Sequence, residues 1–153
     1  MHLLKVIPLL LLLATSAAAQ TNSSGAVAIK DAWARATPPG AAVAAGYLTI
    51  ANTGSEPDRL VSIVTPQSEK AEIHKSTLVE GVARMRPVAD LRIPPGEAVT
   101  LAPGGLHVMF IKPKARLREG ERIEATLTFE EAGPIKVEFA VQGMGARGLH
   151  TGH

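Results

Sequence analysis

From Val27 onward, apolar and polar residues trade places with a period of two along most of the chain. The clearest stretch runs Ile123, Ala125, Leu127, Phe129, interleaved with Glu124, Thr126, Thr128 and Glu130. "EAGP" then turns the chain, and Ile135, Val137, Phe139 and Val141 alternate with Lys136, Glu138 and Ala140. Side chains alternate across a strand, so this reads as a hairpin with one buried face. Similar segments precede it: "VAIKDAWARA", "AAGYLTIANTG", "RLVSIVTP", "AEIHKSTLV", "VARMRPV", "LRIPPGEAVTL" and "LHVMFIKP", separated by Pro-Gly and Gly turns. No segment carries a long 3.6-residue period, and no internal repeat is present. Eight or nine short strands at this spacing predict a single all-β domain, an antiparallel Greek-key sandwich or barrel over residues 27–142.

One strand departs from the simple pattern. In "GGLHVMFI", Gly104 to Ile111, the residues Leu106, Val108 and Phe110 make a good core face. His107 and Met109 therefore share the opposite face. A methionine beside a histidine outside the core calls for a contact or a ligand.

The chain ends read differently. Residues 1–19 have Lys5, an apolar run from Val6 to Ala14, and the small residues Ala17, Ala18 and Ala19. That is the layout of a cleaved secretory signal peptide, with an apolar run shorter than the roughly 20 residues a spanning helix needs. No stable membrane insertion is expected, and no cysteine follows to carry a lipid anchor. Residues 20–26 are small and polar, a flexible N-terminus; "NSS" at Asn22 is a weak glycosylation match. Residues 143–153, "GMGARGLHTGH", predict a flexible tail.

Without Lys5, 15 of the 16 basic residues remain against 14 acidic ones, interspersed and with few aromatics. Nucleic acid is not an expected partner. An exported chain without cysteine relies on its core rather than on disulfides, and offers no thiolate to a metal.

That leaves histidine and methionine. After the signal peptide they occur only as His74, Met85, His107 and Met109, and as Met144, His150 and His153 in the tail. Taken singly, Met85 reads as core filler, His74 as an exposed polar residue, and His107 with Met109 as a partner contact. Taken together, two imidazoles and two thioethers form a neutral, soft donor set. Thioethers favour Cu(I); zinc sites prefer thiolate, imidazole or carboxylate, and calcium and magnesium take oxygen. A blue-copper centre needs a cysteine thiolate and is ruled out. Neutral ligands suit a carrier that releases its metal.

The spacing is a His, ten residues, a Met, twenty-one residues, then His-x-Met. Together with "AWARATPPGAAVAAGYLTIANTG", "MRPV", "IPPG" and "APGGLHVMF", it resembles the periplasmic copper chaperone family PCuAC over roughly Val27 to Val141. The resemblance implies a cupredoxin-like β-barrel and a shallow, solvent-facing Cu(I) site with His74, Met85, His107 and Met109 as ligands. It also implies a periplasmic protein without catalytic activity. Apart from the resemblance, a monomer is expected. Copper delivery would go to a respiratory oxidase subunit, towards the dinuclear copper centre of cytochrome c oxidase, or to another copper carrier. The alternative is a copper-buffering or resistance protein that sequesters the metal without delivering it. Family members often have Met directly after the first His; here Lys75 stands there, on the face away from the site. Some relatives carry a His- and Met-bearing extension that binds further copper, including Cu(II). Met144, His150 and His153 are the candidates for that role here.

Other features say less. Arg84 and Arg86 share a face opposite to Met85, a solvated face or a dock for an acidic partner. Glu72 shares a face with His74 and is placed to orient the imidazole, or is an ordinary exposed carboxylate. Trp33 is expected in the core or under a loop. No GxSxG, no glycine-rich GK[ST] loop and no acid/base carboxylate pair is present, so an enzyme has no residues to stand on.

Overall fold

The computed structural model describes residues 21–149. The signal peptide expected at residues 1–19, and His150 and His153, lie outside them. Eleven strands form one sheet: β1 (Asn22–Ser24), β2 (Val27–Arg35), β3 (Val43–Asn52), β4 (Asp58–Val64), β5 (Ser68–Val79), β6 (Val82–Pro87), β7 (Leu91–Ile93), β8 (Ala98–Leu101), β9 (Leu106–Pro113), β10 (Arg122–Phe129) and β11 (Gly133–Gln142). Seven of them close a barrel in the order β2-β11-β10-β4-β5-β9-β3, with β3 returning to β2. All junctions are antiparallel except β2–β11, which is parallel. A closed ring with an odd number of strands cannot alternate direction throughout, so one parallel junction is required.

The predicted alternation holds where it was clearest. Ile123, Ala125, Leu127 and Phe129 of β10 and Ile135, Val137, Phe139 and Val141 of β11 are all buried. Phe110 of β9 meets Phe139 edge-on, with ring centroids 5.4 Å apart. Gly46 of β3 makes this packing possible. A Cβ at Gly46 would lie 2.8 Å from Phe110 Cε2 and 3.1 Å from Phe139 Cε1. A glycine is needed because the β3 backbone passes directly over both rings.

A bulge in β2 redirects one large side chain. The β2–β3 register shifts between Lys30 and Trp33, and Asp31 takes a positive φ of 57°. An extra residue in one strand swaps the faces of everything after it. Val27 and Ile29 thus point into the barrel, as does Ala34, whereas Trp33 packs outside it with Tyr47. The two rings lie 4.5 Å apart, centroid to centroid.

Two expectations about the ends need correction. The segment 20–26 is not loose throughout: Asn22–Ser24 pairs with β2, and the Ser24 hydroxyl donates to the Ala132 carbonyl at 2.9 Å. Nor is the segment 143–149 a free tail. Ala146 is buried against Trp33 and Tyr47, with Leu149 beside it, and Arg35 Nε donates to the Ala146 carbonyl at 2.9 Å. The outward-turned aromatic pair is apolar surface that needs covering, and this segment covers it.

Candidate metal centre

Three neighbouring strands carry the site. β5 pairs with β9 so that His74 lies opposite His107, and Glu72 opposite Met109. β6 pairs with β5 so that Met85 lies opposite Ser76, and Pro87 opposite His74. Directly opposed residues in an antiparallel pair project to one face, as do residues two apart on a strand. His74, His107, Met109 and Met85 therefore all stand on the outer face of the β6–β5–β9 ribbon, with His74 on the middle strand between Met85 on one side and the β9 pair on the other. Ile73, Val108 and Phe110 take the inner face and are buried in the core. The alternation inferred for "GGLHVMFI" is the one observed. Lys75, one residue beyond His74, falls on the other face.

The four side chains differ sharply in exposure. His107 is 4% exposed and Met109 7%. His74 is half-buried, and Met85 is 58% exposed. The shallow, solvent-facing site implied by the resemblance is thus only half right. β9 has a neighbour on both sides: Met109 lies between Glu72 of β5 and Ala45 of β3. The outer face of a strand in mid-sheet is shielded by those flanking side chains. β6 pairs only with β5, so Met85 has no such shield.

The imidazoles are tied down in different ways. His107 Nδ1 lies 3.1 Å from the Gly105 carbonyl. A carbonyl only accepts, so Nδ1 carries the proton and Nε2 presents a lone pair. That Nε2 is buried and has no hydrogen-bond partner among the described residues. A buried polar atom without a partner is costly in a folded protein unless something else meets it. His74 Nε2 lies 2.9 Å from Glu72 Oε2. Glu72 also accepts an ion pair from Lys70 Nζ. The Lys70 hydrogen bond, and after it that of His74, holds the Glu72 carboxyl below the usual glutamate range. Glu72 is then an anionic anchor for the His74 ring, a contact of the kind that fixes metal-ligating imidazoles. The two imidazole centroids are 6.1 Å apart, tilted by 44°.

The donors fit a soft cation. Among the described residues, no group of three or more His, Cys, Asp or Glu side chains is placed to hold a metal ion. Two imidazoles flanked by thioethers remain, the set that favours Cu(I). Of the tail residues, Met144 is exposed. No helix among the described residues is long and apolar enough to cross a membrane.

Comparisons with known proteins agree with this architecture. The family described as "LpqE-like: Putative lipoprotein LpqE-like" matches residues 27–141. "Putative lipoprotein Lxx21020" from Leifsonia xyli subsp. xyli (strain CTCB07) is 31% identical over 129 residues, 82% of this chain and 76% of that protein. Among solved structures, the apo PCuAC domain of PmoF2 superposes with a TM-score of 0.74 at 27% identity, covering 85% of this chain and 100% of that one. The Cu(I) solution structure of DR1885 from Deinococcus radiodurans superposes with a TM-score of 0.60 at 30% identity, covering 84% and 85% of the two chains.

Proposed function

The chain belongs to the LpqE-like family and has the fold of PCuAC domains, and from this and its site we propose that it is a periplasmic copper chaperone. It carries Cu(I) on His74, Met85, His107 and Met109 and performs no catalysis. The observation that carries this reading is the lone pair of His107 Nε2, buried beside Met109 with no partner among the described residues. A Cu(I) ion would satisfy it, and the neutral imidazole and thioether donors suit that soft, singly charged cation. The copper-bound PCuAC domain of PmoF2 and the Cu(I) form of DR1885 among the structural relatives support the same metal.

The handover follows from the split in exposure. His107 and Met109 hold the metal from the shielded side. Met85 is the ligand an acceptor reaches first, so exchange begins there and proceeds one bond at a time. The acceptor is a copper-receiving subunit of respiratory oxidase, towards its dinuclear copper centre, or a further carrier in line with it.

Titrating the copper-free protein with Cu(I) against a chromogenic competitor tests the metal: one tightly held equivalent is expected, and its absence would sink the proposal. Deleting the gene tests delivery: oxidase activity should fall at low copper and recover when copper is added. Normal oxidase activity with lost copper tolerance would instead identify a sequestering protein.

A further inference from the structure

The β5–β6 hairpin runs past the end of the barrel. Its last tie to the β9 side is the Ser76 N–H, which donates to the Gly105 carbonyl at 3.1 Å. From Thr77 to Pro87 every residue is exposed. The two-residue turn Glu80-Gly81 has positive φ at both positions, 49° and 78°, the geometry whose twist matches a tight hairpin. One face of this ribbon carries Ser76, Leu78, Ala83 and Met85, in line with His74. The other continues the core face of the barrel. Along it Ile73 and Val88 pack into the core, and then the chemistry changes to Lys75, Arg86 and Arg84.

Lys75 lies directly opposite Arg86, and Arg84 follows opposite Thr77. Like charges set directly across two strands repel. None of the three side chains has an ion pair among the described residues. The barrel has one other cross-strand pair of cations, Arg59 opposite Arg92. There Arg59 is neutralised by Glu130 at 2.8 Å and Asp90 at 3.9 Å. On the hairpin the only acid past His74 is Glu80, at the turn. Beyond the cations, Val79 and Val82 oppose each other and are exposed. The face thus combines uncompensated positive charge with an apolar end.

We propose that this face of the β5–β6 hairpin docks the protein that receives the metal, and that this receiving protein presents carboxylates around an apolar contact. The inference rests on the copper-carrier reading above. Lys75, Arg84 and Arg86 pair with the carboxylates, and Val79 and Val82 meet the apolar centre. β6 is an edge strand, so a partner seated here reaches around its free edge to Met85 on the reverse. Docking and metal exchange then use opposite sides of one strand. A flat lipid headgroup layer would match the charge but would leave nothing at Met85 to take the metal.

Two synthetic acceptor peptides test this. Both contain the same Cys-x-x-x-Cys core; one is flanked by glutamates, the other by lysines. The Cu(I)-loaded protein should transfer metal to the glutamate peptide faster by about tenfold or more at low salt, the size expected of electrostatic steering. The advantage should fade at high salt and vanish in the Lys75→Gln, Arg84→Gln, Arg86→Gln variant, whose Cu(I) affinity stays unchanged. Equal rates for the two peptides, or a preference that survives in the variant, would overturn the proposal. The copper-free protein supplies an independent reading: it should bind the glutamate peptide in a salt-dependent way that the variant loses. That arm stands even if no Cu(I) binds, in which case only the carrier reading fails. Binding of the native protein to phosphatidylglycerol vesicles, lost in the variant and without any peptide preference, would reassign the face to lipid and overturn the protein partner.

Discussion

The two faces of β9 share one backbone and do different work. The inner face is Val108 and Phe110, fully buried and locked against Phe139 and the bare backbone of Gly46. The outer face is His107 and Met109, buried almost as deeply, yet holding an imidazole nitrogen that no protein group among the described residues satisfies. Burial on the inner face is stabilising because apolar atoms leave water. Burial on the outer face adds some of the same, but it also shields a donor pair and fixes its direction. A site built on mid-sheet strands is held rigidly by the packing behind it. Depth of burial alone does not separate fold from function here; the unsatisfied atom does.

The first test strikes the inner face. Phe110→Ala empties a ring-sized volume between β3, β9 and β11 and should cost about 3–5 kcal/mol of stability. Chemical denaturation would measure it. Cu(I) affinity of the fraction that remains folded should change little, because the ligands are on the other side. A variant of near-native stability with lost Cu(I) binding would break the division between the faces.

The outer face gives the converse. Met109→Leu keeps volume and apolarity and should cost less than about 1.5 kcal/mol. It removes a thioether, so Cu(I) affinity should fall by more than the roughly 10–100-fold typical of losing an outer contact to a metal ligand. Met85→Leu makes the same chemical change at an exposed position. Its stability should move by no more than about 0.5 kcal/mol, its affinity should fall less than that of Met109→Leu, and its metal should leave faster. Competition titrations and release kinetics on the two variants separate a held ligand from an exchanging one. Equal losses would mean that exposure does not divide their roles.

How much of this was legible in the sequence depends on what each feature rests on. The alternation in β9, β10 and β11 was legible because side-chain direction in a strand is a local property. The shared face of Glu72 with His74, and the opposite face of Arg84 and Arg86, follow from the same rule. The burial of His107 and Met109 was not legible, since it comes from β3 and β5 lying on either side of β9, and neighbours are set by topology. Period-two alternation does not separate core from loop for Trp33; the bulge at Asp31 decides it, and a positive φ at an aspartate leaves little trace in composition. The docking of residues 143–149 was also invisible, because Gly143 to Leu149 has no apolar period. Only the outward-turned Trp33 and Tyr47 give that segment something to cover.

The smallest effect is expected off the β6–β5–β9 ribbon, on exposed residues of β4 and the β10–β11 turn that carry no metal chemistry. Arg59 on β4 binds Glu130 through two hydrogen bonds, at 2.8 and 3.1 Å. Those bonds, and next the guanidinium charge, hold the Glu130 carboxyl below its ordinary value of 4.5. A carboxyl lowered in the folded state favours folding above its unfolded value, and that contribution is lost as pH falls through the lowered folded value. Glu130→Gln should therefore depress the melting temperature slightly at pH 7. The gap between variant and native protein should close in acid, below about pH 4.5, where the native carboxyl also takes up its proton. Added salt should narrow it as well, since both partners are exposed. Cu(I) affinity should be the same in both proteins at pH 7. A change in affinity from this pair would mean that outer-face electrostatics reach the site from the neighbouring strand β4, and that the chemistry is not confined to the ribbon of β6, β5 and β9.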